Sequence, residues 1–322
     1  MVPPGAIRGF FWKDVSLNDP LTTITEHPAP RRFGSGLKLK LFAYALVAPV
    51  VLLILGLVAY PFLFAIWVSF TDMVIGSTGN FIGFKNFEYL AGTATFWAAI
   101  RNTITIVLIS DVLKLLIGLG LALLVHQNLP GRGIFRSFLM LPWAMPAFVA
   151  FLTWRVLYQP IGGGINLILN QTGLYAGTVD WLGTRATAMS SVIIASVWRG
   201  FPFWFISLLA ALQSVPKELH EAAIVDGANT WQRFWNVTIP SILPVIVITT
   251  LLSSIWTANG FEHVWLLTAG GPSDATMVFP VLAYFGMQTQ RIGEAAAVSV
   301  YMLPVLAILV LFATSLMMRR EE

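Results

Sequence analysis

Two short stretches place hydrogen-bonding and aromatic side chains where the surrounding chain is apolar. One holds Ser196, Trp198, Arg199, Gly200 and Phe203, the other Ser253, Ser254, Trp256, Thr257 and Asn259. A third feature, Asp111 with Lys114, spaces opposite charges three residues apart, so that they can neutralise each other on one helix face. Aromatic faces and a few convergent donors can hold a ligand. They do not break bonds, because no polar cluster here pairs a nucleophile with a base. The chain has no cysteine, which removes thiol nucleophiles, disulfides and thiolate metal sites. His27, His126, His220 and His263 are scattered and form no ligand-spaced pair. No GxxxxGK phosphate loop is present, so the chain is not expected to hydrolyse ATP. The expectation is of a binding or conducting protein with no catalytic residue, no metal and no cofactor of its own.

The elements that position these residues follow from composition. Of 322 residues, 57% are hydrophobic and 11% charged, against about 25% charged in an ordinary soluble domain. Several apolar runs exceed the roughly 18 residues that suggest a membrane span. The pattern predicts an all-α membrane protein with six spans: Leu41–Phe70, Asn102–Val125, Phe138–Leu157, Met189–Leu212, Ile242–Trp256 and Ala295–Met318. Pro49 and Pro61 are candidate kinks in the first, and the outer end of the fifth is expected to be irregular. With the N-terminus inside, twelve Lys and Arg fall on the inner side and four on the outer, which favours cytoplasmic termini. Residues 1–36 carry no signal-peptide pattern and read as a flexible cytoplasmic tail, leaving 37–322 as the membrane domain. A net charge of +4 then reports inner-side Lys and Arg and gives no reason to expect nucleic acid.

Between the fourth and fifth spans, residues 214–240 are unusually polar. Pro216 suits a first helical turn, and Glu218 and Glu221 lie near that N-terminus, where the helix dipole favours anions. Gly227 supplies a turn, and Asn229 with Gln232 has capping-box spacing, so the stretch reads as two short helices with a break. Ile224, Ala228, Trp231 and Trp235 share an approximate face. A helix lying on anionic lipid wants a basic polar face. Here Glu218, Glu221 and Asp226 outnumber Lys217 and Arg233, and Ala222, Ala223, Gly227 and Ala228 permit close approach, so docking to a protein is favoured.

Glu221-Ala222-Ala223, Asp226-Gly227-Ala228, Ile239-Pro240 and Pro244 closely resemble the EAA loop of permease subunits in binding-protein-dependent ABC importers. "WRGFPFWFISLLAALQSVPKELHEAA" before it and "LLTAGGPSDAT" after it resemble the carbohydrate branch, as in the larger permease subunit of maltose and glycerol-phosphate importers. The likeness runs from about Leu41 to Met318. The maltose subunit's extra N-terminal spans and large periplasmic insertion have no counterpart, since Thr71–Arg101 is a short loop.

The resemblance implies a type I importer permease in a prokaryotic inner membrane. Its partners would be a second permease, a cytoplasmic ATPase dimer holding ATP and Mg, and an extracytoplasmic binding protein that delivers a sugar. Glu221, Ala222, Ala223, Asp226 and Gly227 would seat in the ATPase. Counting outward from Glu221, it also implies sugar contacts near Ser196, Arg199, Gly200, Ser253, Thr257 and Gly260. Phe203 and Trp256 could then stack on a sugar, while Arg199, Ser253 and Asn259 bond its hydroxyls. Arg199 either selects an acidic sugar or has a structural ion-pair partner. The alternative class is an ion-coupled secondary transporter, for which Asp111 is the acidic candidate inside a span.

Overall fold

The computed structural model describes residues 35–127 and 130–318. Apart from its last two residues, which begin the first helix, the tail expected over residues 1–36 lies outside the described residues, as do Arg319 and Arg320. The chain divides into two units, Met1–Ala59 and Tyr60–Glu322. The described part of the first is α1 (Ser35–Ile54), which contains Pro49, followed by a π-helical turn at Leu55–Ala59.

The second unit begins with α2 (Tyr60–Ser69) and α3 (Lys85–Ala91). The helices that matter for the site are α4 (Ala94–His126), α5 (Arg132–Ala144), α6 (Ala147–Leu157) and, after the short α7 (Gly164–Gln171), α8 (Arg185–Ser214). Then come α9 (Lys217–Val225), α10 (Thr230–Arg233), a π-turn at Phe234–Thr238, and α11 (Ile239–Ala258). Helices α12 (Glu262–Thr268), α13 (Phe279–Gln288) and α14 (Ile292–Met318) complete the order. Two isolated bridges, Thr71 with Phe81 and Val74 with Arg291, are the β-like pairings among the described residues.

Lys40–Ser69, Ala94–His126, Arg185–Ser214 and Thr230–Ala258 are each long and apolar enough to cross a membrane. The expected third span is not one helix. α5 and α6 are bent by 88° from each other, and only as a broken pair do they pass the same test. Pro146 is the cause. A residue before proline is pushed out of the α region, and Met145 has ψ 137°. The fifth span is longer than expected, because α10, the π-turn and α11 run on as one apolar helix over Thr230–Ala258. The expected sixth span corresponds to α14, a helix of 27 residues whose Ile292–Ile308 portion is apolar.

Helices α4 and α8 form the spine. Their backbones approach so closely that a Cβ on Gly118 would lie 2.7 Å from Trp204 Cβ and 3.0 Å from the Phe205 amide nitrogen. Around that crossing Ala122, Val125, Trp204, Phe205, Leu208 and Leu212 are buried, together with Ile242 of α11. A second core gathers Ile106, Phe151, Tyr158, Val192 and Val264, and so ties α6 and α12 to the same spine. The Tyr158 hydroxyl donates to the Ser191 carbonyl at 3.1 Å, which fixes the end of α6 against α8. Near the start of α4, Asn102 Nδ2 donates to the carbonyls of Asp274 and Met277, pinning the turn that precedes α13.

Gly118→Val should therefore cost about 1–3 kcal/mol by overpacking. Gly120→Val, two residues on and facing open space, should be neutral or slightly stabilising, since valine is the better helix former. Thermal unfolding of the two variants in detergent measures the contrast. Equal melting temperatures would contradict a close-packed α4–α8 crossing.

Candidate functional site

One cavity collects most of the polar residues singled out in the sequence. Ser196, Arg199, Gly200 and Phe203 line it from α8, and Ser253, Trp256, Thr257 and Gly260 from α11 and the turn after it. Each set follows i, i+3, i+4, i+7 spacing, the face of a single helix. Trp143, Ala147 and Phe151 close it from the α5–α6 bend, Lys114 from α4, and Glu262 and His263 from α12. Asn259 is not brought to this cavity. It caps α11, its Nδ2 donates to the Ile255 carbonyl at 2.9 Å, and it borders a different groove with Phe279 and Met302.

The floor of the cavity is a buried charge network. Asp111 Oδ1 accepts from the Ser253 hydroxyl at 2.6 Å and from Lys114 Nζ at 3.3 Å, and Oδ2 accepts from Ser254 at 2.6 Å. Lys114 Nζ also donates to Thr257 Oγ1 at 2.8 Å and, more weakly, to Ser253 Oγ at 3.4 Å. Asp111, Lys114, Ser253 and Ser254 are all buried, so an unpaired member would be costly. The pair that the sequence balances on α4 thus also bolts α4 to α11. It engages two of the hydroxyls expected to meet ligand, and a third, Ser196 Oγ, donates to the Val192 carbonyl at 2.8 Å.

The two cavity glycines have a steric role. A Cβ on Gly200 would lie 2.7 Å from Lys114 Cε, and one on Gly260 would lie 2.5 Å from His263 Cε1. Gly200 therefore admits the lysine stem and Gly260 admits the imidazole ring. Lys114 and His263 are wall residues that sequence reasoning did not assign to the site. For His263 a signal existed: it continues the 253, 256, 257, 260 series three residues on. Phe203 and Trp256, which also line the cavity, form a ring pair with centroids 4.9 Å apart. Arg199 makes no ion pair or hydrogen bond among the described residues, and its Nε is buried without a partner.

The polar stretch after α8 folds as two short helices. α9 ends in a Schellman closure: Ala228 N–H donates to the Ala223 carbonyl and Gly227 N–H to that of Ile224. Gly227 has φ +79°, a left-handed conformation that glycine adopts without strain. Asn229 and Gln232 then make a reciprocal capping box that starts α10. Glu221, Ala222, Asp226 and Gly227 are exposed and Ala223 is half-buried. Leu219, Ile224, Val225, Trp231 and Trp235 are also exposed, so an unpartnered apolar surface flanks the acidic residues. This element lies in the chain directly between α8 and α11, the two helices that give the cavity seven of its wall residues.

Comparison with known proteins places the chain in a family. Residues 114–320 match the model of the binding-protein-dependent transport system inner membrane component. The trehalose/maltose transport system permease protein MalF of Thermococcus litoralis is 32% identical over 81% of this chain and 88% of its own length. The trehalose transport system permease protein SugA of Mycobacterium tuberculosis is 30% identical over 86% of this chain and 89% of its own. Among solved structures, a chain of the bacterial alginate ABC transporter in complex with alginate pentasaccharide-bound periplasmic protein superposes with a TM-score of 0.75. It is 25% identical, over 88% of this chain and 96% of that one. A cavity walled by two helices, an exposed two-helix element joining them and a family match over most of the chain converge, and the chain belongs to the family of binding-protein-dependent transport system inner membrane components.

Proposed function

We propose that this chain is one of two permease subunits of a prokaryotic inner-membrane importer for a sugar or sugar derivative, such as a di- or oligosaccharide, a polyol or a glycerol-phosphate-like compound. It crosses the membrane six times with both termini cytoplasmic. A separate ATPase dimer binds ATP and Mg, and an extracytoplasmic binding protein delivers the sugar. The relatives named for trehalose and maltose, and the alginate importer with its periplasmic protein, support a carbohydrate cargo.

The observation that carries the mechanism is continuity. The capping box at Asn229 starts a helix that runs on through the π-turn from Thr230 to Ala258, a rod about 40 Å long at the usual helical rise. One end of that rod belongs to the exposed EAA element and the other carries Ser253, Trp256 and Thr257. When the ATPase dimer closes on ATP, force on Glu221, Ala222, Ala223, Asp226 and Gly227 reaches the cavity through this rod and through α8. The chain supplies no catalytic group and converts a partner's movement into alternating access.

An ion-coupled mechanism would need an acidic side chain free to bind its ion. Asp111 has both oxygens occupied by Ser253, Ser254 and Lys114. Family membership points the same way.

Gly227→Arg should abolish ATP-driven uptake and co-purification of the ATPase while the chain still inserts, because it strains the left-handed residue and crowds the docking face. Retained ATPase binding would contradict the docking role. Asp111→Leu should lower stability by about 3–5 kcal/mol, because it leaves Lys114 buried and unpaired. The double variant Asp111→Leu/Lys114→Met should recover most of that loss. Unfolding of both in detergent is the check, and a double variant no better than the single one would contradict the pairing.

A further inference from the structure

Most of the cavity's polar atoms are already committed inside the protein. Ser196 donates to a backbone carbonyl, Ser253 to Asp111, and Lys114 spends its ammonium on Asp111, Thr257 and Ser253. The Glu262 carboxylate, Arg199 and His263 also line the cavity and make no hydrogen bond or ion pair among the described residues. Arg199 Nε and His263 Nε2 are each buried with no hydrogen-bond partner, and both side chains line the cavity. A buried polar atom without a partner costs about 1–3 kcal/mol, so a ligand that supplies an oxygen to each would recover that cost.

His263 is built into place. It is 6% exposed, its ring lies 6.1 Å from that of Phe151, and Gly260 provides the space that a Cβ would otherwise take from it. In the same cavity, the Phe203–Trp256 pair offers an apolar face on which a pyranose ring can stack.

We propose that the His263 imidazole, together with the Arg199 guanidinium, is the contact that hydrogen-bonds the oxygens of the translocated sugar, and that Ser253, Thr257 and Lys114 position the wall rather than read the ligand. The inference rests on the reading of this cavity as a sugar site. It makes His263 a binding residue and assigns Gly260 to shaping rather than contact.

The test uses the complete importer, purified with its second permease, ATPase and binding protein and placed in nanodiscs. Because this chain has no cysteine, Ala147→Cys gives it one thiol in the cavity wall, and bound ligand should slow the reaction of that thiol with a maleimide; the importer without Ala147→Cys gives the background from the other subunits. The probes are trehalose, maltose and an alginate trisaccharide. The last distinguishes a carboxylate from a hydroxyl as the recognised oxygen. In the reporter background, His263→Phe keeps the ring and removes both nitrogens, while His263→Gln keeps a donor.

The half-protecting concentration should rise about tenfold for His263→Phe, the loss expected for one buried hydrogen bond. It should rise only about two- to threefold for His263→Gln. Equal protection in the parent and both variants would overturn the role of His263 and leave the sugar site standing. Absence of protection by every probe in the parent would overturn the sugar site itself, and this inference with it. Co-purified ATPase and basal ATP turnover report assembly. If His263→Phe fails to assemble, His263→Met takes its place with the same expected rise.

Discussion

A lysine ammonium inside an apolar helix bundle is tolerable only while its charge is matched and its donors are used. Lys114 meets that requirement through Asp111, and Asp111 meets its own through Ser253 and Ser254. The cost of exposing either charge to hydrocarbon is what holds α4 against α11 at that depth. The rest of the cavity is set from there. The lysine stem needs Gly200 on α8, so three helices are indexed by one ion pair. Gly118 fixes the same α8 to α4 farther along, where any side chain would strike Trp204.

The same helices form the proposed coupling path. α8 leads into the EAA element, and α10 leads out of it as one helix with α11. A Schellman closure and a capping box complete most of the backbone hydrogen bonding around the Gly227 turn, so the element is stiff despite its exposure. A stiff element at the end of a long helix transmits displacement. A flexible loop would absorb it. The exposed Ile224, Val225, Trp231 and Trp235 are then the surface a partner would cover.

Much of this was legible in the sequence, and the reasons are local. Hydrophobic run length announced the long helices, and Gly227, Asn229 and Gln232 announced the break and restart, because turn and cap chemistry depends on near neighbours. The helical faces of Ser196–Phe203 and Ser253–Gly260 could be read once the EAA motif fixed the register. What escaped were features decided across space. Phe138–Leu157 reads as one run in the sequence, and the 88° bend at Pro146 is seen only in the structure. Asn259 follows Thr257 closely yet faces another groove, because the helix ends there and its amide turns back on Ile255. Lys114 and His263 were visible as residue types, but only the clearances at Gly200 and Gly260 show that both reach one cavity.

The central claim is that the EAA element controls access to the cavity between α8 and α11. In the assembled importer, a single cysteine at Ser196 can be tested with a membrane-impermeant thiol reagent added from the binding-protein side. The account predicts slow reaction without nucleotide and fast reaction when ATP and the binding protein are both present. Gly227→Arg should lose that acceleration. A reaction rate indifferent to ATP, or an ATP response that survives Gly227→Arg, would contradict it.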